Sequence, residues 1–226
     1  MNFNLLTKWA NNKYNRFLFL LFWLLVSIAL PESRVVTTCT ILILFLATML
    51  STVRQIRPNQ RWLKYYAALV LLNIALLGLQ MFGVVNISAW SHGYSITALI
   101  FLVVIFVPIF LLQQEFFLAP RVTADTLKGG IAIYVLMGVA WSMVYTILFD
   151  FNPDSFAGVQ LSQVRADLLH FSFVTLTTVG YGNILPMGPL ARVASDLEAI
   201  AGIMYPAILI SRLVSRYTSN SEKPSL

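Results

Sequence analysis

The sequence predicts an all-α membrane protein with six transmembrane helices, and three observations support this fold class. Of the 226 residues, 58% are hydrophobic and only 11% are charged, a composition that excludes an ordinary soluble domain. Long apolar runs recur along the chain, and the basic residues are concentrated on alternate connections between them. A short polar, glycine-rich segment at 177–182 separates the last two long runs.

Six apolar runs are candidates for transmembrane helices. An α-helix crosses the hydrocarbon core with about 20 residues. Most runs meet this length, and we expect Tyr14 and Arg16 to extend the short first run, since their side chains can reach the interface. The run at 166–177 is too short to span, and we expect a re-entrant helix there. The apolar runs lie at 17–30, 35–53, 65–85, 96–112, 129–149 and 190–214.

The distribution of Lys and Arg predicts the orientation. Twelve of the fifteen basic residues fall on one side of the predicted membrane: Lys8, Lys13, Arg16, Arg54, Arg57, Arg61, Lys64, Arg121, Lys128, Arg212, Arg216 and Lys223. Only Arg34, Arg165 and Arg192 fall on the other side. Because basic residues favour the cytoplasmic side, both termini are expected in the cytoplasm. The net charge of +6 therefore needs no nucleic-acid partner to explain it.

Nothing in the sequence predicts an enzyme. The chain has two His residues and a single Cys, Cys39, and it contains neither a Cys/His cluster nor a phosphate-binding loop. We therefore expect no catalytic site and no cofactor.

The segment Thr177-Thr178-Val179-Gly180-Tyr181-Gly182 is the most informative part of the chain. Glycine loops that bind phosphate continue with Lys and Ser/Thr, whereas Asn183 follows here. Gly180 and Gly182 can adopt positive φ angles, so that successive carbonyl groups point to one side. Rings of such carbonyls from four copies can replace the hydration shell of a cation.

Residues 178–182, Thr-Val-Gly-Tyr-Gly, resemble the signature of the potassium-channel superfamily residue for residue, and we call them the filter segment. The resemblance covers about 129–216 and implies a two-helix pore module inside a tetrameric channel. The implied parts are an N-terminal four-helix bundle at 1–128, an outer helix at 129–149, a pore helix at 166–177, an inner helix at 190–214 and a cytoplasmic tail at 217–226.

The resemblance also implies a function: passive, K⁺-selective conduction by a homotetramer in the plasma membrane. K⁺ would be coordinated by the carbonyls of Thr178, Val179, Gly180 and Tyr181 and by the Thr178 hydroxyl. The Tyr181 ring would hold the loop at its working diameter. The expected partners are three further copies, membrane lipid and K⁺ as the permeant ion.

Two residues near the filter segment depart from the family pattern. Asn183 stands where the family usually has Asp, and His170 stands where a pore-helix aromatic is common. One hypothesis is that His170 and Asn183 hydrogen-bond behind the filter, with Thr177 ending the pore helix beside them. The alternative is that His170 only packs at the membrane interface. Asn183 also leaves a weakly selective cation channel open as an alternative function.

The last apolar run resembles the family's inner helix, and Gly202 occupies the position of its hinge. The family's spacing directs Ile203, Pro206, Ile210 and Val214 toward the pore axis, where Ile210 and Val214 could close as an apolar gate. Asp196 and Glu198 are costly at membrane depth. We expect them to face away from the axis and to hydrogen-bond Ser172 or Thr175 of the pore helix.

The fourth run, 96–112, contains no basic residue. Voltage sensors depend on charges that move through the membrane field. Voltage gating of the usual kind is therefore not expected.

Overall fold

The computed structural model describes residues 12–28, 60–81, 93–118 and 123–221, together with six positions between 43 and 53. This part of the chain is mostly helical. Its helices are α1 (Lys13–Ile28), α2 (Gln60–Met81), α3 (Gly93–Leu118), α4 (Ala124–Phe151), α5 (Val164–Leu176) and α6 (Pro189–Ser221). A 3₁₀ turn (Pro153–Ser155) and the strands β1 (Phe156–Ala157) and β2 (Leu185–Pro186) complete it.

Three of the described helices are long and apolar enough to cross a membrane. They are Ser95–Gln114 in α3, Ala124–Phe151, and Pro189–Ser215 in α6. The apolar part of α1, Tyr14–Val26, is shorter. Most of the predicted second span, 35–53, lies outside the described residues, and the six positions described there are helical. The chain is thus a helical membrane protein, and the prediction of six spans stays a prediction.

Helix α4 begins at Ala124, five residues before the predicted outer helix. Thr123 caps the helix: its side chain accepts a hydrogen bond from the Thr126 backbone, and the Thr126 side chain accepts one from the Thr123 backbone. Asp125 lies in the first turn, where a negative charge is favourable. Such a cap is typically worth about 1 kcal/mol, so it sets the start of the helix before the apolar run begins.

Helix α6 continues to Ser221 and is longer than the predicted inner helix at 190–214. Residues 217–221 of the predicted tail are therefore helical. Pro206 lies inside α6 without ending it, and residues 207–221 contain neither Gly nor Pro to break the helix.

Helix α4 is the centre of the described structure, since α1, α3, α5 and α6 all contact it, while α2 contacts α3. The main core includes buried side chains of α1, α3 and α4, among them Leu21, Ile105 and Leu136. Asp150, at the end of α4, accepts hydrogen bonds from the Ser95 backbone (2.9 Å) and hydroxyl (2.6 Å) and so fixes the start of α3. Helices α1 and α3 are therefore held directly to α4, and α2 is held to it through α3.

A second, smaller core lies where α4, α5 and the loop between them meet. The rings of Tyr145, Phe156 and Phe171 pack edge to face, with centroids 5.0 to 5.5 Å apart. Phe156 is also the first residue of β1, which pairs antiparallel with β2 and places Phe156 opposite Pro186. This cluster ties the loop before α5 to the chain that leaves the filter segment.

Candidate functional site

The filter segment is fastened to the last turn of α5. Thr177 caps that helix, and its hydroxyl donates to the Phe173 carbonyl over 2.6 Å. The Thr178 nitrogen donates to the Thr175 carbonyl and the Val179 nitrogen to the Val174 carbonyl, both over 2.9 Å. The first residues of the filter segment therefore have their amides turned back toward α5.

The sign of the φ angle alternates along the filter segment. Thr178, Gly180 and Gly182 have φ angles of 61°, 63° and 75°, whereas Val179 and Tyr181 have negative φ. The positive φ angles at the two glycines are as predicted. A Cβ added at either glycine would meet nothing within 4 Å in this chain, so these positions require glycine for its conformation rather than for space.

Sequence reasoning missed the strained backbone at Thr178. A residue with a side chain in this region costs on the order of 1–3 kcal/mol, and such strain persists only where the surroundings impose it. The Thr178 amide and the next one are both bonded to α5, which imposes the conformation. The two-residue spacing of Gly180 and Gly182 was the available clue, because extending it backward reaches Thr178.

His170 contacts the filter segment through Tyr181 and not through Asn183. The His170 and Tyr181 rings stack nearly parallel, with centroids 5.9 Å apart and 6° between their planes. The predicted hydrogen bond between His170 and Asn183 is not formed, and both residues are exposed. The Asn183 carbonyl instead lies against Gly158, where an added Cβ would overlap it. The backbone of Asn183 thus packs on the loop before α5.

Glu198 of α6 is fully buried and bonded to both neighbouring helices. One carboxyl oxygen lies 2.5 Å from the Ser172 hydroxyl of α5, which confirms the predicted contact with the pore helix. The other accepts from the Tyr145 hydroxyl of α4, a partner that the sequence did not indicate. The expectation for Asp196 was wrong, since it is exposed and not bonded to α5. Residues two apart on a helix face different directions, so only one of these acids can reach α5.

Gly202, predicted as a hinge, is a point of close helix contact. It is buried, and an added Cβ would overlap the carbonyl oxygen of Leu176 at the end of α5. The Tyr134 hydroxyl donates to the same carbonyl over 3.1 Å. Helix α6 therefore passes directly beneath the start of the filter segment.

The residues expected to face the pore lie on an exposed side of α6. Ile203, Ile210 and Val214 are 61%, 59% and 60% exposed in the single chain, and Pro206 is half-buried.

Gly138 of α4 was not singled out from the sequence. An added Cβ there would come within 2.9 Å of the Phe173 ring, so Gly138 allows α5 to approach α4. A glycine in the middle of an apolar helix was the available clue to such a contact.

Comparisons with known proteins place the same region in a family. Residues 131–219 match the family model described as "Ion channel", and they include α5, the filter segment and most of α6. No solved structure is significantly similar to the chain.

Several curated proteins are similar to part of the chain. Protein LctB of Geobacillus stearothermophilus is 35% identical over 101 residues, which cover 42% of this chain and 74% of the relative. Two-pore potassium channel 5 of Arabidopsis thaliana is 30% identical over 83 residues, covering 37% and 18%. The inward rectifier potassium channel Kirbac3.1 of Paramagnetospirillum magnetotacticum is 29% identical over 90 residues, covering 38% and 28%.

The family model covers most of α4, α5, the filter segment and most of α6, which together build the site. This match agrees with the helical, apolar character of the described chain. The chain belongs to the ion channel family, within the potassium channel superfamily, and is a membrane channel rather than an enzyme.

Proposed function

We propose that the protein is a K⁺-selective channel whose pore is formed by four copies of the filter segment. The observation that carries this proposal is the alternation of φ at Thr178, Gly180 and Gly182 in a Thr-Val-Gly-Tyr-Gly sequence. Alternation between positive and negative φ lets successive carbonyl groups point to the same side of the segment. Rings of carbonyls are the elements from which K⁺ filters are built.

In this proposal each chain contributes the carbonyls of Thr178, Val179, Gly180 and Tyr181 and the Thr178 hydroxyl. The carbonyl end of α5, at Thr177, carries partial negative charge and favours a cation at the inner end of the filter. The resulting flow of K⁺ is passive.

The exposed backbone of the filter segment supports the assembly of several copies. Gly180 and Gly182, which have no side chain, are exposed in the single chain, and polar backbone cannot face lipid without a partner. Only 11% of the membrane-crossing window of α6 is buried. One face of this helix is apolar and exposed, including Val193, Leu197, Ile200, Ile203, Met204, Ile208, Ile210 and Val214. A closed ring of four copies gives both surfaces a partner.

The remaining features follow from the predicted orientation and domain division. Residues 1–128 form a peripheral bundle without voltage-sensor arginines, and 129–216 form the pore module, with both termini in the cytoplasm at the plasma membrane.

Ile210 and Val214 form the apolar gate below Gly202 and Pro206. Since α6 runs unbroken through Pro206, this gate moves by tilting of the whole helix or bending at these two residues.

The substitution Gly180→Ala tests the filter. Ala disfavours the φ of 63° at this position although there is room for its methyl group. We expect the variant to assemble as the wild type does and to lose K⁺ selectivity or conduction. The measurements are the mass of the detergent-solubilised complex and reversal potentials in K⁺ and Na⁺ gradients after reconstitution in liposomes.

Val179→Ile is the matched control, because it also adds one methyl group to the filter segment but at a negative φ. It should keep wild-type selectivity. Normal K⁺ selectivity in Gly180→Ala would overturn the filter assignment. Comparable permeability of the wild type to Na⁺ and K⁺ would instead establish the alternative, a weakly selective cation channel altered at Asn183.

A further inference from the structure

The buried contacts of Glu198 contain one hydrogen too few if its carboxyl group is ionised. The Ser172 hydroxyl lies 2.7 Å from the Gly138 carbonyl oxygen and 2.5 Å from a Glu198 carboxyl oxygen. A hydroxyl donates one hydrogen, and a backbone carbonyl can only accept. Both contacts are full hydrogen bonds only when Ser172 donates to Gly138 and Glu198 donates to Ser172.

The other carboxyl oxygen is consistent with the same arrangement. It accepts from the Tyr145 hydroxyl over 2.5 Å, which leaves the oxygen beside Ser172 to carry the hydrogen. With this assignment the chain of donors runs from Tyr145 through Glu198 and Ser172 to Gly138. Each hydroxyl then donates once, and each acceptor has a donor.

The surroundings of Glu198 disfavour a negative charge. Glu198, Ser172 and Tyr145 have no exposed surface in the single chain. Within the described residues, no Lys or Arg forms an ion pair with Glu198. An ionised carboxylate that is buried without a cationic partner is costly, and proteins avoid this cost by keeping the group protonated.

Among the ionisable groups on the helices packed around this contact, Glu198 is the one whose loss of a proton changes the contact. From α4, Tyr145 and Tyr134 face it, and both are phenols. On α5, Asp167 accepts from the Gln160 backbone, His170 stacks on Tyr181, and Arg165 is exposed. On α6 itself, the nearby Asp196 is exposed.

We propose that Glu198 carries a proton in the native protein and uses it to hold α6 against α5 directly behind the filter segment. Ser172 lies on the turn of α5 that precedes the residues to which the filter amides are bonded, Val174 and Thr175. Glu198 is thus a positioning residue for the filter, a role that rests on the proposed function. The contact is complete while the proton is bound and is lost as rising pH removes it.

Infrared spectroscopy tests the proton independently of ion conduction. At neutral pH the wild type should show the carbonyl stretching band of a protonated carboxylic acid. Labelling glutamate with ¹³C at the side-chain carboxyl should shift this band in the unaltered protein. The band should be lost in Glu198→Gln and retained in the matched control Asp196→Asn.

Potassium flux in liposomes tests the positioning role. Wild-type flux and that of Asp196→Asn should fall reversibly as the pH is raised from neutral. Flux through Glu198→Gln should stay unchanged with pH, because the amide donates to Ser172 at every pH. A pH response in Glu198→Gln equal to that of the wild type would overturn the positioning role.

The two readouts separate the possible failures. A wild type without a label-sensitive acid band at neutral pH would overturn the proton assignment, whether or not the protein conducts. A band that behaves as expected in a protein that conducts no ions would retain the protonated contact and refute the proposed function.

Discussion

Single residues of this channel show that glycine is required for two different reasons. Gly180 needs a left-handed backbone and has free space around it, whereas Gly202 is helical and has a backbone carbonyl where its side chain would be. The same substitution, Gly to Ala, should therefore impair conduction at one position and folding at the other.

Gly202→Ala is expected to destabilise the protein. The added methyl group overlaps the Leu176 carbonyl, which is backbone and cannot rotate away, so α6 must shift from α5. Overpacking of this kind costs typically 1–3 kcal/mol. Thermal unfolding of the detergent-solubilised protein should show a lower midpoint for Gly202→Ala than for Gly180→Ala, whose methyl group meets no atom within 4 Å in this chain. Equal midpoints for these two variants would contradict the packing role of Gly202.

The stack of His170 on Tyr181 should stabilise the filter segment. An aromatic pair of this kind is worth about 0.5–1.5 kcal/mol. We expect His170→Ala to speed the decay of K⁺ current during sustained opening, whereas His170→Phe, which keeps a ring, should behave more like the wild type. The measurement is the rate of current decay in reconstituted channels. Similar rates for the Ala and Phe variants would show that the ring contact does not support the filter.

Helix α3 packs against α4 and differs from a voltage-sensing helix in its charge. Its sequence from Gly93 to Leu118 contains no Lys or Arg, and its start is fixed to α4 by the bonds between Ser95 and Asp150. It carries no basic charge on which the membrane field could act.

The open probability of the channel should therefore depend only weakly on voltage. Moving one elementary charge through the membrane potential supplies about 2.3 kcal/mol per 100 mV, and α3 has no basic residue to contribute it. Single-channel recording from purified protein at several voltages measures this dependence. A steep response, corresponding to several gating charges per channel, would require a sensor elsewhere in the chain.

The sequence predicted the described helices better than their ends. The apolar runs at 96–112, 129–149, 166–177 and 190–214 overlap α3, α4, α5 and α6, because hydrophobic length is what a membrane helix requires. The starts and ends were decided by other forces. A cap at Thr123 begins α4 early, and the absence of a helix breaker carries α6 to Ser221. Hydrophobicity contains neither kind of information.

At the scale of the whole molecule, the core is centred on α4 while the functional surfaces remain open. Helices α1 and α3 cover part of α4, of which 44% of the membrane-crossing window is buried, whereas α6 and the filter segment keep large apolar or polar surfaces exposed in the single chain. This division matches a channel in which the periphery folds within one chain and the pore is completed by other copies.

Composition and local residue pattern were sufficient to predict the membrane class and the need for glycine at 180 and 182, in the segment proposed as the filter. These properties depend on composition and on the backbone freedom of single residues, which are local. By contrast, the stack of His170 on Tyr181 and the contacts of Glu198 with both Ser172 and Tyr145 became visible only in the folded chain. These contacts join residues from different helices, and helix packing sets their distances and directions.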